Sequence, residues 1–319
     1  MNRAAGGGYA PGVEDLRPRA GRDGRRRAPV GLRPGRRPGG GAQARGAEAL
    51  PDRERTGGMT ALLGPAVAGT LRYEALMALR RRAVWYTLLP LSLLALVMVA
   101  GAPASAEGAH RAGDAALKVS LFCLPGVAAA FVDRLARGNG GGMGELLAAA
   151  PFRGAAHLVA RLAAPLAVAL LPLLLVMLAA GALGAVEDGG AAPLRAALLG
   201  FAVVVLPGAA AGAAFGALAG LLMPPVLARV AAVLAWCWAT IATPRFSPVP
   251  TPTGTLLSPL GGYPGAAWLG QPEVLAHRFL DGPLSPPVGT GTALLNLAAV
   301  AGTTTLFVAA AGLLLAGRR

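Results

Sequence analysis

The chain has 319 residues, a formal net charge of +14 and a mean hydropathy of +0.57, with 55% hydrophobic and only 14% charged residues. Soluble domains carry about 25% charged residues, so this composition excludes an ordinary water-soluble fold for most of the chain. Two cysteines, Cys123 and Cys237, and three scattered histidines indicate neither a disulfide framework nor a zinc site, and we expect no metal.

The positive charge is distributed in a way that argues against nucleic-acid binding. Residues 1–58 hold 13 arginines and 6 acidic residues, and the remainder holds 16 Lys and Arg and 9 acidic residues. In the second part these charges stand at the ends of apolar segments, where they orient helices and meet anionic lipid headgroups.

Residues 1–58 are rich in Arg, Gly, Pro and Ala and contain almost no large apolar side chains. Such a segment cannot bury enough surface to offset the entropy of ordering, so we expect a disordered basic extension. It lacks the apolar core of a signal peptide. A basic arm can bind nucleic acid or acidic lipid, but the simpler interpretation is that translation starts at Met59. Residues 59–319 would then be the membrane domain.

Six apolar segments each approach the length of about 20 residues that a helix needs to cross the hydrocarbon core. They predict an all-α, polytopic membrane protein with six transmembrane helices, at residues 83–103, 116–132, 162–186, 195–222, 225–243 and 290–316. The second is short and carries Lys118 near its outer end, where a long side chain can reach the interface. Prolines inside the segments are tolerated where neighbours satisfy the freed carbonyl groups.

The arginines predict the direction of threading. Arg80, Arg81 and Arg82 stand immediately before the first segment, and Lys and Arg are enriched on the cytoplasmic side. Six spans that start inside place both termini in the cytoplasm. The cytoplasmic segments would then hold 11 Lys and Arg residues and the external ones 5, together with most of the acidic residues.

Two connections are longer than helix hairpins require. Residues 133–161 contain a glycine-rich tract at 138–144, and residues 244–289 are rich in Pro and Gly. The second is long for a structureless loop. We therefore expect short helices at the membrane surface, with Tyr263 and Trp268 at the depth of the headgroups.

The chemical motifs are mainly notable for what is missing. No Walker motif occurs, and the tract at 138–144 has no following Lys, so the chain is not expected to hydrolyse ATP or to bind a cofactor. No segment holds Asp or Glu near its middle, where proton- and cation-driven carriers usually place one. Sodium sites made of carbonyls and hydroxyls stay open. No set of residues for hydrolysis falls at one depth, so we expect no catalytic site.

Four glycines recur at intervals of four in the fourth segment: Gly208, Gly212, Gly216 and Gly220. On a helix they form one stripe without side chains, where another helix can approach closely. Packing within the chain and packing against another subunit both remain open. Polar groups inside the segments are few: Trp236, Trp238 and Thr240 in the fifth, and Asn296 and Thr303–Thr305 in the sixth. They either bond a neighbouring helix or line a path for an amphipathic substrate, for which Trp236, Thr240, Asn296 and Thr303 are the candidates.

Two stretches carry a family resemblance. The approach LRYEALMALRRR (71–82), the pair Asp133-Arg134 after the second segment, and GELLAAAPFRGAAHLVARL (144–162) resemble the permease subunits of type 2 ATP-binding cassette (ABC) exporters. In the last stretch the matching residues are Glu145, Leu146, Leu147, Pro151, Arg153 and Arg161. The resemblance covers 59–319, although only these cytoplasmic stretches are specific.

The resemblance implies six helices in each permease, two permeases in each transporter, as a homodimer or a heterodimer, and a separate ATPase subunit for each. It implies that the segment between spans two and three contacts the ATPase, with Asp133, Arg134, Glu145, Pro151 and Arg153 as coupling residues. The tract at 138–142 departs from the family, whose members are more charged there. The alternatives are a non-transporting membrane anchor or scaffold, which needs no ATPase, and an ion-coupled carrier. An apolar interior favours a hydrophobic or amphipathic cargo, and the composition suggests the cytoplasmic membrane of a bacterium with GC-rich DNA.

Overall fold

A computed structural model describes residues 65–101, 108–136, 155–242, 249–275 and 283–317. In these ranges the protein is helical and contains no β-strand. The α-helices are α1 (Pro65–Arg80), α2 (Arg82–Ala100), α3 (Gly108–Phe131), α4 (Asp133–Ala136), α5 (Ala155–Asp188), α6 (Ala192–Gly200), α7 (Leu206–Leu222), α8 (Pro225–Thr240), α9 (Gly262–Trp268) and α10 (Thr290–Gly317). A π-helical turn, Phe201–Val205, joins α6 to α7, and a 3-10 turn, Pro272–Leu275, follows α9.

Each predicted apolar segment is helical, and four helical stretches are long and apolar enough to cross a membrane: His110–Ala136, His157–Asp188, Ala192–Leu222 and Thr290–Gly317. A fifth is possible if the bent pair Ala68–Arg80 and Val84–Ala100, which turns by 71°, counts as one span. Helix α8 has 16 residues, or about 24 Å at 1.5 Å per residue, against a hydrocarbon core of about 30 Å.

The helix that contains the second predicted span begins before that span. Helix α3 starts at Gly108, eight residues before 116, so Lys118 lies ten residues inside the helix. The added residues are charged, but they have partners: Lys118 Nζ lies 2.6 Å from the Asp114 carboxylate, and Arg111 pairs with Glu187. Because these pairs offset the charges, the helix can continue through a polar stretch that hydropathy alone excludes.

Helix α3 is the centre of the bundle. It packs against α2, α5, α6, α7 and α8, and 67% of the residues in its most apolar window are buried. Helix α10 is much less buried. Only 11% of the residues in its most apolar 18-residue stretch are buried, and it packs mainly against α7 and α9. The apolar side chains that α10 leaves exposed, such as Leu294, Leu306 and Leu313, need an apolar solvent or a partner.

The helix formed by α6 and α7 is broken near its middle. In the π-helical turn the Leu206 N–H donates to the Phe201 carbonyl, five residues back, and Pro207 follows with no N–H to donate. Pro207 is the sixteenth of the 31 residues from Ala192 to Leu222. Such single π turns often occur at functional sites.

The connection between α8 and α10 enters the bundle instead of lying on top of it. The Asn296 amide on α10 donates to the Leu256 carbonyl at 2.7 Å and to the Ser258 carbonyl at 3.1 Å. The Pro259 carbonyl lies 2.8 Å from the position that a Cβ on Gly208 would take. Non-helical backbone therefore reaches the start of α7, close to the break at the middle of the 31-residue stretch Ala192–Leu222. There it is buried in protein, the setting in which a membrane protein tolerates it.

The two short helices expected in this connection are present as α9 and the 3-10 turn. Tyr263 is 1% exposed, and its hydroxyl donates to the Pro286 carbonyl at 3.1 Å; its depth in the membrane stays a prediction. The side chain contacts protein rather than lipid headgroups because the connection folds back over it. Trp268 is partly exposed.

Candidate functional site

Two of the five predicted coupling residues lie in the described part of the chain. Asp133 and Arg134 form the first turn of α4, directly after α3. Glu145, Pro151 and Arg153 lie outside the described residues, as does the whole of 1–58. The site can therefore be built only around the ends of the helices that flank residues 137–154.

Arg134 joins three helices at one end of the bundle. Its Nη2 donates to the carboxylate of Glu74 on α1, and its Nε donates to the backbone carbonyl of Arg161 on α5 at 3.4 Å. Arg161 Nε in turn lies 3.8 Å from Glu74 Oε1. All three side chains are largely buried, with at most 18% exposed. A carboxylate shared by two buried guanidinium groups fixes the position of α1 because removal of one partner would leave a buried charge uncompensated.

Asp133 extends the same network to a fourth helix. Its Oδ2 lies 2.5 Å from Nη2 of Arg229, near the start of α8. The Arg229 side chain is 46% exposed, so this pair contributes little to stability, but it sets where α8 begins. We call the five residues Glu74, Asp133, Arg134, Arg161 and Arg229 the arginine-end cluster.

The cluster contains two residues that the sequence did not single out, Glu74 and Arg229. A signal for Glu74 was available, because it is the one acidic residue among four arginines in 71–82. An acidic residue at that place has several cationic partners within reach. Arg229 gave no comparable signal, since its partner Asp133 is 96 residues away along the chain.

A second group of polar contacts lies at the other end of the bundle. Arg111 pairs with Glu187, and Asp188 Oδ2 accepts a hydrogen bond from the Gly108 N–H at 2.9 Å. Arg111 and Asp133 are 22 residues apart on nearly continuous helix, which corresponds to about 33 Å. Residues 119–132, 162–186 and 196–222, which lie between these ends, contain no charged side chain. Asp114 and Lys118 shorten the charge-free run of α3 to 119–132, or about 21 Å at 1.5 Å per residue. The runs at 162–186 and 196–222 are about 37 and 40 Å long, enough to cross a hydrocarbon core of about 30 Å.

The glycine stripe packs within the chain, against α3. A Cβ on Gly216 would clash with the backbone carbonyl of Ala128, and one on Gly220 with that of Val132. A Cβ on Gly212 would stand 3.4 Å from the ring of Trp236 on α8. Because 128 and 132 share the spacing of 216 and 220, α3 and α7 run in contact over a full turn. The alternative of a subunit interface is not needed to account for the stripe.

The residues suggested for a substrate path are not gathered around one cavity. Trp236 lies against the glycine stripe, and its carbonyl accepts from the Thr240 hydroxyl at 2.8 Å. Asn296 holds the connection between α8 and α10, and the Thr303 hydroxyl donates to the Ala299 carbonyl at 2.9 Å. Thr240 and Thr303 therefore bond their own helices and Asn296 bonds the connection, whereas the first interpretation supposed bonds to a neighbouring helix. The substrate path stays a prediction.

A groove of about 460 Å³ between α7 and α10 is lined by the two neighbouring hydroxyls, Thr304 and Thr305, with apolar side chains around them. The run Thr303–Thr305 indicated that hydroxyl groups lie inside the last helix. Which of these three threonines line the groove depends on how α10 is rotated. Among the described residues, no three His, Cys, Asp or Glu side chains are grouped so as to hold a metal ion.

The apolar helices, the two polar ends and the buried irregular connection define a multi-pass helical membrane protein. Comparison with known proteins takes this no further: no family model, no curated protein and no solved structure matches the chain.

Proposed function

We propose that this chain is the membrane-spanning permease subunit of an ABC exporter in a bacterial cytoplasmic membrane, powered by a separate ATPase subunit and paired with a second permease. It would cross the membrane six times, with both termini in the cytoplasm, and move a hydrophobic or amphipathic substrate. The chain itself would not be an enzyme. The observation that supports this most is the arginine-end cluster, because it joins four helices next to the segment that resembles a coupling element.

Six crossings require α2 and α8 to span as well as the four long helices. The bend of 71° between α1 and α2 suits an amphipathic helix that lies along the cytoplasmic surface before α2 enters the membrane. Helix α8 is short, but a local thinning of the bilayer or a tilt of its neighbours accommodates a short span at modest cost. Arg229 at its start would then lie at the cytoplasmic surface.

The charge distribution supports the direction of threading. The arginine end includes Arg72, Arg80, Arg81 and Arg82 on α1 and α2 in addition to the cluster, whereas the opposite end carries Asp114, Glu187, Asp188 and Glu273. Positive residues are enriched on the cytoplasmic side, so the arginine end is assigned to the cytoplasm.

The proposed coupling follows from how the cluster is connected. Residues 137–154 begin three residues after Arg134 and end seven residues before Arg161. A displacement of this segment by an ATPase would therefore act on both residues, and through Glu74 and Asp133 on α1 and α8. Because ATP binding would favour one of two arrangements of these helices through different contacts in each, it would shift the population between inward- and outward-facing states.

The test is copurification from the native membrane in mild detergent, with mass spectrometry of the bound proteins. The expected result is an ABC ATPase in stoichiometric amount, which is lost when Glu145→Lys and Arg153→Glu are combined. Arg195→Glu is the matched control, because Arg195 is an exposed residue at the other end of the bundle, and this variant should retain the ATPase.

Recovery of the chain alone, or with an unrelated membrane protein, would overturn the proposal and favour an anchor or scaffold. Transport into proteoliposomes by the purified chain without ATP would instead favour an ion-coupled carrier.

A further inference from the structure

The groove between α7 and α10 lies at mid-depth in the bundle. Pro207 is the sixteenth of 31 residues in its helix and Thr304 the fifteenth of 28 in α10. The groove has a volume of about 460 Å³ and is open rather than enclosed, since Ala202, Leu206, Ala301 and Thr305 are exposed. A tilted aromatic pair, Phe215 and Phe307 with ring centroids 5.4 Å apart, joins the same two helices further along.

The polar groups of the groove are all hydrogen-bond acceptors. The Thr304 hydroxyl donates its proton to the Val300 carbonyl at 2.8 Å, and the Thr305 hydroxyl donates its proton to the Ala301 carbonyl at 2.8 Å. A hydroxyl has one proton and two lone pairs, so each oxygen can still accept. Both threonine side chains line the groove.

The break in the helix adds a third acceptor. The π-helical turn pairs Leu206 N–H with the Phe201 carbonyl, and the next carbonyl in that series belongs to Ala202. Its partner would be Pro207, which has no N–H. Ala202 and Pro207 both line the groove, and the Ala202 carbonyl therefore has lone pairs that Pro207 does not use.

We propose that this groove binds a neutral, largely apolar molecule that carries a hydroxyl group between hydrocarbon portions, and that the molecule enters sideways from the lipid. A hydroxyl supplies the donor that the three acceptors lack. A carboxylate or phosphate would face only acceptors, and an ammonium group would lie at mid-depth without a carboxylate among the nine lining residues, an arrangement that costs several kcal/mol at about ε 4. A pure hydrocarbon would leave the acceptors without a donor.

As a substrate site the groove rests on the proposed transport function, but binding itself needs neither ATP nor a partner. The test therefore uses the purified chain in lipid nanodiscs with a photoactivatable secondary alcohol. The probe is a long alkane with a mid-chain hydroxyl and an adjacent diazirine, and its methyl ether serves as the matched probe. We expect the alcohol to label residues 202–210 and 297–305 about fivefold more strongly than the ether, the factor that one hydrogen bond of about 1 kcal/mol supplies.

Three variants locate the effect. The double substitution Thr304→Val and Thr305→Val should bring the ratio of alcohol to ether labelling close to one. Thr303→Val should leave the ratio unchanged, because the Thr303 hydroxyl makes the same kind of bond to its own helix but does not line the groove. Pro207→Ala should also lower the ratio, since it restores an N–H to the helix.

Equal labelling by alcohol and ether in the native protein would overturn the inference, and so would an equal loss of preference in Thr303→Val. Either result would leave the copurification of an ATPase unaffected. A labelled groove in a chain that copurifies no ATPase would reject ATP-driven export and leave the binding site in place.

Discussion

Gly216 and Gly220 decide how closely two helices approach. Their missing side chains let α7 rest directly on the backbone carbonyls of Ala128 and Val132 on α3. In a membrane, where lipid competes for apolar side chains, such close backbone contact is a main source of helix association. The close approach of α3 and α7 therefore depends on the absence of a methyl group at these two positions.

Gly216→Ala should destabilise the protein by about 1–3 kcal/mol, the usual cost of overpacking, because the added methyl group would clash with the carbonyl of Ala128. Thermal unfolding can be followed with a thiol-reactive dye, since Cys123 is buried in the native state. Gly302→Ala is the control, as a Cβ there would stand in open space on α10. Equal melting temperatures for the two variants would contradict the packing described for the stripe.

At the scale of elements, the connection between α8 and α10 shows how a non-helical segment is held inside the bundle. Asn296 binds two of its carbonyls, Leu256 N–H donates to the Leu284 carbonyl at 2.8 Å, and the Ser258 hydroxyl donates to the Ala239 carbonyl at 3.4 Å. Each bond satisfies a backbone group that has no helical partner. Buried groups of this kind cost free energy when left unpaired, so the anchors determine the fold of the connection.

Asn296→Leu keeps the size of the side chain and removes both donors. We expect the amides of Leu256 and Ser258 to exchange hydrogen about thirtyfold faster in this variant, because two bonds of about 1 kcal/mol each no longer hold the segment. Leu295→Ala, an exposed neighbour on the same helix, should leave the exchange rates unchanged. The measurement is hydrogen exchange by mass spectrometry, and identical rates in all three proteins would show that Asn296 is not the anchor.

At the scale of the whole molecule, charge is divided unequally between the two ends of the bundle, with most of the arginines at one end and most acidic groups at the other. A single-cysteine series on a background of Cys123→Ala and Cys237→Ala tests the proposed direction. A membrane-impermeant maleimide applied to intact cells should label Gly190→Cys, which lies in an open, exposed turn. Arg80→Cys should react only after the membrane is permeabilised. The reverse pattern would invert the topology.

The positions of the helices could largely be predicted from hydropathy, because a run of apolar residues in this composition has few alternatives to a membrane helix. Hydropathy misses the part of a helix in which charged residues have partners far away in the sequence. Helix α3 begins eight residues before the predicted span because Arg111 pairs with Glu187, 76 residues further along the chain. A window that reads neighbouring residues cannot detect such a pair.

The candidate sites were less predictable for the same reason. The spacing of the four glycines indicated close packing, but the partner helix followed only from the matching spacing of Ala128 and Val132. Asn296 and Thr303 are seven residues apart on one helix, yet one anchors the connection and the other bonds its own helix. The rotation of α10 against α7 decided which threonines face the groove.

The sequence by itself determined the class of protein and the ends at which the charges lie, because transfer into lipid depends on local composition and needs no knowledge of contacts. Only the tertiary structure decided which helix fills the glycine stripe, where Glu74 and Arg229 find their partners, and how deeply the connection before α10 enters the bundle. These features depend on contacts between residues about 40 to 96 positions apart, which form only when the helices pack against one another.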